Sequence, residues 1–170
     1  MTDSLWKDQV ALVSGAGSDS GIGFAIARRL GREGVRVLLS ASSARIQQRV
    51  AELQSEGIDA RGMPADLTDE TQVAALSAWA HGQFGRIDIL VNNAGIQHTA
   101  SVVDMPAARW DAIIAINLSS AFHTMQKALP GMIERGFGRV VNIASVHGLV
   151  ASANKGPYVA AKFGLVGLSK

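Results

Sequence analysis

The sequence predicts an α/β fold: a doubly wound parallel sheet of the Rossmann type, followed as far as a fifth strand and the start of the helix after it. Three observations predict it. Short runs rich in Val, Ile and Leu alternate with longer segments of helical periodicity, the order of a parallel sheet covered by helices on both faces. The runs 87–91 (IDILV) and 140–143 (VVNI) are nearly continuous in apolar character, which suits strands buried on both faces. A glycine-rich stretch, SGAGSDSGIG over 14–23, separates the first such run from the first helical segment.

Each element follows in order. VALVS (10–14) is the expected first strand, and GIGFAIARRLGREG is the helix after it, with Ile22, Ala25, Ile26, Ala27 and Leu30 forming an apolar stripe. VRVLLS is the second strand, and the segment 44–56 reads as a helix closed by Gly57. DARGMPADL holds a short third strand, and Asp69 begins a helix that stops near Gly85. IDILVNNAG is the fourth strand, 106–134 a long helical region, and GRVVNIAS the fifth strand. Pro157 can open a helix expected to be still running at Lys170. With no repeat, low-complexity stretch or linker, residues 1–170 are expected to form one dinucleotide-binding domain, C-terminally incomplete, whose fifth strand lies at an exposed apolar edge.

Composition excludes several classes of function. The 170 residues are 48% apolar with mean hydropathy +0.18, enough for a packed core. The net charge of +2 is small and its basic residues are dispersed, so no nucleic-acid footprint is expected despite a pI of 9.3. There is no cysteine, which excludes disulfides and thiolate metal sites. His81, His98, His123 and His147 have no ligand spacing, so no metal is expected. The N-terminus lacks the apolar core of a signal peptide or membrane span, and a cytoplasmic protein away from membranes is expected.

Between the first strand and helix, backbone amides can hold a pyrophosphate, and Gly15, Gly17, Gly21 and Gly23 let it approach without a Cβ in the way. The same stretch could be only a tight turn. Asp19 would repel a phosphate and is expected to face solvent or cap the next helix. The second strand ends in LLSASSAR, without the acid that usually bonds the ribose of NAD; Ser40, Ser42, Ser43 and Arg45 could accept a 2′-phosphate or merely solvate a loop. Asp66 could touch an adenine edge or serve a turn. NNAG (92–95) offers two amides to tie strand ends together and a glycine that leaves room for a nucleotide. Ser145 ends the fifth strand, and Tyr158 and Lys162, four apart on one helix face, can meet it at the carboxyl edge of the sheet.

On these motifs, together with Asn117, the sequence resembles the classical short-chain dehydrogenase/reductase family over essentially its whole length. The resemblance implies a catalytic tetrad of Asn117, Ser145, Tyr158 and Lys162, with Asn117 holding a water that links Lys162 to solvent. It implies cofactor contacts from Gly15, Gly17, Ser20, Gly21, Ile22 and Gly23 in the loop. Further contacts fall to Ser42, Asp66, Leu67, Asn93, Ala94 and Gly95, besides Tyr158 and Lys162. The loop departs from the family pattern: five residues separate Gly15 from Gly21 where three are common, so either Gly17 takes the first place or the loop is longer. A phenol beside an ammonium gives up its proton more readily, which suits a tyrosine acting as base while hydride leaves for nicotinamide and a serine hydroxyl steadies the oxygen.

NNAGIQH, WDAIIAINLSSAFHT and NIASVHGLVASANKGPYVAAK are similar to the bacterial D-3-hydroxybutyrate dehydrogenase branch of that family. This implies that Gln97, His147 and Lys155 bind a substrate carboxylate beside Ser145 and Tyr158, that NAD is the cofactor with NADP as the alternative, and that the full-length enzyme is a homotetramer. Lys155 as a solvated loop lysine and His147 as a packing residue are the plainer readings. Two other functions stay open: NADP-dependent reduction of a 3-oxoacyl thioester, a sugar or another carbonyl compound, and an inactive nucleotide-binding fragment.

Overall fold

The computed structural model describes residues 6–170. The expectation about the N-terminal segment therefore lies partly outside the described residues. Five strands, β1 (Val10–Val13), β2 (Arg36–Ala41), β3 (Ala60–Pro64), β4 (Ile89–Asn92) and β5 (Arg139–Asn142), form one sheet in the order β3-β2-β1-β4-β5. Every neighbouring pair is parallel, with Ala11 opposite both Val37 and Ile89. The helices are α1 (Ile22–Arg32), α2 (Ile46–Ser55), α3 (Glu70–Phe84), α4 (Ala107–Ile114), α5 (Ser120–Glu134) and α6 (Gly156–Leu168).

The two-residue alternation of a strand divides the core. Ala11, Val13, Val37 and Leu39 pack with Phe24 and Ala27 of α1 and Ile46, Val50 and Leu53 of α2. Leu12, Leu38 and Leu90, from the opposite face, pack with Val73 and Leu76 of α3 and Ala128 and Met132 of α5. The sheet is therefore doubly wound, as the alternation of segments predicts. The order in which strands are added reverses between β1 and β4, and a crevice at the carboxyl ends of these two strands is where such sheets bind ligands.

Local chemistry sets the element ends. Asp69 caps α3, its carboxylate accepting from the Thr71 amide at 2.8 Å and hydroxyl at 2.6 Å, and these bonds with those from Gln72 hold its pKa below the usual aspartate value. Gly85, at φ 75°, closes the same helix in the left-handed conformation that favours glycine.

Of the two places expected for Asp19 the structure shows the solvent-facing one: Gly21 takes the cap position of α1, and Asp19 is exposed, with its Oδ2 3.8 Å from Arg49 Nη1. The region 106–134 is helical as expected, with a π turn at Ala115–Ser119 joining α4 to α5. One expectation is corrected: β5 is not buried on both faces, since it is an outer strand of the sheet and Val141 is 44% exposed. α6 is helical to Leu168, and the Ser169 amide still donates to Leu165 O.

Candidate active site

The glycine loop is fastened to the end of β4 by hydrogen bonds. Asn93 Nδ2 donates to the carbonyls of Ser14 and Gly15, both at 3.0 Å, while the Ser14 hydroxyl accepts from the amides of Asn93 and Ala94 and donates to Val91 O. This leaves no room for side chains. A Cβ on Gly15, whose φ is +66°, would lie 2.7 Å from Ala94 Cα, and one on Gly23 would lie 2.5 Å from Asn93 Nδ2 and 2.9 Å from Gly15 O. Asn92 works in the other direction, donating to Asn142 Oδ1 of β5 at 2.9 Å and accepting from the buried Thr124 hydroxyl of α5 at 2.7 Å. The two asparagines thus tie three strand ends together, as their sequence position suggests.

The fastened ends bound two adjoining cavities that share Asn93, Gly95 and Ile96. The first, about 290 Å³, is lined by Gly15, Gly17, Ser42, Asp66, Leu67, Asn93, Ala94 and Gly95 of the expected cofactor set. Ser18, Ser43, Arg45 and Ile116 line it too and are absent from that set. The second, about 310 Å³, is lined by Ile22, Gln97, Asn117, Ile143, Tyr158 and Lys162 besides the shared residues. Ser20, Gly21 and Gly23 line neither cavity. Ser20 is exposed, Gly21 caps α1, and Gly23 lets the loop pack against Asn93.

At the second cavity the polar groups are held firmly. Asn117 stands in the π turn, 1% exposed, and its Nδ2 donates to the carbonyls of Ile96 at 2.8 Å and Ile113 at 2.9 Å. Its Oδ1 has no partner and faces Gly95, whose missing Cβ would lie 2.8 Å away. Lys162 is 4% exposed, and its Nζ donates to Ile143 O at 2.7 Å while standing 5.6 Å from the Tyr158 ring centroid. Burial lowers its pKa below the ordinary lysine value of 10.5, because the charged form loses water that one carbonyl only partly replaces.

Ser145 follows Ala144, which lines the same cavity, and its hydroxyl accepts from the His147 amide at 3.2 Å. The His147 ring meets the Tyr158 ring edge to face, 6.0 Å between centroids, and its Nδ1 is 3.3 Å from Val150 O. Lys155 occupies the N-cap position of α6, three residues before Tyr158, and lines neither cavity. The fold therefore gathers Asn117, Tyr158, Lys162 and Gln97 around one space with His147 against Tyr158, and leaves Lys155 outside it. A glycine-walled cleft leading to an unpartnered buried oxygen on Asn117 fits an extended dinucleotide whose far end brings a hydrogen-bond donor.

Such a cleft, at the switch point of a doubly wound sheet and ending in a tyrosine-lysine pair, defines a Rossmann-type scaffold. The chain belongs to the short chain dehydrogenase family, whose family model matches residues 9–170. It is 48% identical over 172 residues to a D-beta-hydroxybutyrate dehydrogenase of Cupriavidus necator, a match covering 98% of this chain and 64% of that protein. It is 46% identical over 157 residues to the enzyme of the same name from Rhizobium meliloti, covering 91% of this chain and 61% of the relative. The chain thus spans less than two thirds of the length of either. Among solved structures, the F189W actinorhodin polyketide ketoreductase with NADPH superposes with a TM-score of 0.91 at 38% identity, covering 95% of this chain and 62% of that one.

Proposed function

We propose that the protein transfers hydride between a nicotinamide dinucleotide and a small 3-hydroxy acid, with 3-hydroxybutyrate and acetoacetate as the substrate pair. One observation carries the reading. Tyr158, Lys162 and Asn117, whose buried oxygen has no partner, line a single cavity that adjoins the glycine-walled cleft. The bound cofactor would supply the hydride acceptor. Tyr158 takes the hydroxyl proton of the substrate, and Ser145 donates a hydrogen bond to the oxygen as it becomes a carbonyl. Burial weakens the hold of Lys162 on its own proton, which suits a residue that passes one on. Asn117 Oδ1 offers an acceptor for the water of such a relay. Gln97 beside the cavity and His147 against Tyr158 receive the carboxylate, and Lys155, which lines neither cavity, would have to swing in from the start of α6 to join them.

Similarity to the hydroxybutyrate dehydrogenases supports this substrate; NAD, a cytoplasmic setting and a homotetrameric working form are proposed with it only as what the family resemblance implies. Among the described residues, no helix is long and apolar enough to cross a membrane. The likeness to a polyketide ketoreductase solved with NADPH favours a second reading, reduction of a 3-oxoacyl thioester.

Steady-state kinetics with D-3-hydroxybutyrate, a neutral secondary alcohol of similar size and a 3-oxoacyl thioester separate the two. Lys155→Ala is expected to cost one to two decades in kcat/KM with the acid, matching roughly 1.5–3 kcal/mol for a charge-assisted contact, and much less with the alcohol. Equal losses would remove the carboxylate assignment. A thioester turned over far better than the acid would establish the second reading.

A further inference from the structure

We infer that Ser169 and Asn142 form a clasp that positions the helix carrying Tyr158 and Lys162, so that the place of Lys162 at the second cavity is held from the far end of α6 and not by its own bond alone. The catalytic meaning of the clasp rests on the proton-relay reading of Lys162 above, whereas the clasp itself is read from geometry.

Lys162 and Ser169 are two turns apart and lie on one side of α6. Lys162 Nζ donates to Ile143 O at 2.7 Å, and Asn142 Nδ2 donates to the Ser169 hydroxyl oxygen at 2.9 Å. Two neighbouring residues at the end of β5 therefore receive the same helix. Between these points α6 lies close to the chain that follows β5, since a Cβ on Gly148 would stand 2.9 Å from Lys162 O and 2.8 Å from Val166 Cγ2. A helix held only at its middle is free to tilt, and the clasp fixes its far end.

The clasp is rooted in the core. Asn142 Oδ1 accepts from Asn92 Nδ2 at 2.9 Å, and Asn92 Oδ1 accepts from the Thr124 hydroxyl at 2.7 Å, with Asn92 7% and Thr124 5% exposed. The bond from Asn92 decides which way the Asn142 amide faces, because a flipped amide would set two NH₂ groups against each other. Ser169 commits its one hydroxyl proton to Leu165 O at 2.6 Å, which leaves its oxygen to accept from Asn142. The run of side chains from α5 through β4 and β5 thus has one direction, and Ser169 is where it reaches the helix of the tyrosine-lysine pair.

Lys162 is 4% exposed, so an amine reagent reaches it only when α6 swings open. Trace labelling with acetic anhydride, read by peptide mass spectrometry against the exposed Lys127 of α5, measures that opening without any turnover. Ser169→Val is expected to raise Lys162 labelling about two- to tenfold, the factor that one net hydrogen bond represents, and Ser169→Thr to keep it at the native level. Threonine and valine have nearly the same shape, so the difference reads the hydroxyl. Asn142→Leu should raise the labelling at least as much, and adding Ser169→Val to it should change nothing further, because both break the same link. Leu53→Ala, in the core under α2, lowers overall stability away from the clasp and should leave Lys162 protected. Equal labelling of the Thr and Val variants, a further rise in the double variant, or a rise in Leu53→Ala matching that in Ser169→Val would overturn the inference. The Ser169 pair alters an exposed residue, so it decides the matter even where Asn142→Leu fails to fold. The expected labelling in a chain that turns over no hydroxy acid would count against the proposed function and uphold the clasp.

Discussion

At the glycine-loop end of the cleft the lining is backbone and short side chains, much of it exposed, whereas at the other end Asn117 and Lys162 are buried to a few per cent and held by carbonyls. The first end excludes Cβ atoms: Gly15, Gly17 and Gly23 each leave less than 3 Å for one. The second fixes functional atoms, with Asn117 bound to two carbonyls and Lys162 to one. A nucleotide can be bound by shape and amides, but a proton can be moved only by a group at a defined place with a defined affinity for it. Substitutions at one end should therefore appear in affinity and stability, and at the other in rate.

The sharpest separation is expected from Tyr158→Phe. The variant keeps the ring that meets His147 and loses only the hydroxyl, so kcat should fall by roughly 10²–10⁴, the usual worth of a positioned acid-base group, with little change in cofactor affinity. Stopped-flow turnover with a parallel fluorescence titration of cofactor reads both quantities. Near-normal turnover would dismiss Tyr158 as the base, and a matching loss of cofactor affinity would blur the division between the two ends.

Next in size is Gly23→Ala. The new methyl would press on Asn93 Nδ2 at 2.5 Å and on Gly15 O at 2.9 Å, and the second of these is backbone that cannot swing away. Overpacking of this kind costs about 1–3 kcal/mol, and it displaces the amide that ties the loop to β4. Urea denaturation should show the midpoint falling, with cofactor affinity falling alongside. Gly82→Ala in α3 is the control: nothing lies within 4 Å of its Cβ position, and the helix should gain about 0.5–1 kcal/mol. If both substitutions moved the midpoint the same way, close packing would not be what Gly23 provides.

These contrasts also mark what the sequence could and could not disclose. The doubly wound parallel sheet is legible in the alternating segments and the glycine turn, and the ends of α3 in Asp69 and Gly85, because these signals lie among neighbours in sequence. Tyr158 and Lys162 were legible because four residues make one turn of a helix. The Ser14 hydroxyl was not, since its partners Val91, Asn93 and Ala94 lie nearly eighty residues away. The π turn that swings Asn117 into the cavity leaves no trace in apolar periodicity, because the segment stays apolar through it. Lys155 presents the opposite case. Its motif was plain, yet its backbone place at the start of α6 keeps it off both cavities.

The smallest effect expected is a pH dependence of stability that belongs to the reaction end alone. Lys162 has its pKa lowered in the folded state by burial, while in the unfolded chain it returns to the ordinary value of 10.5. Between those two values the unfolded chain binds more protons than the folded one, so this residue's contribution to stability rises with pH and levels off above 10.5. Lys162→Met keeps most of the buried stem and removes the titrating group. Its absolute stability will also reflect the lost bond to Ile143 O, so the slopes are compared and not the midpoints. Urea titrations from neutral pH to the alkaline side should give a steeper gain for the native protein than for the variant. Parallel slopes would mean that Lys162 holds its proton as an exposed lysine does, and the proton relay proposed for it would lose its physical basis.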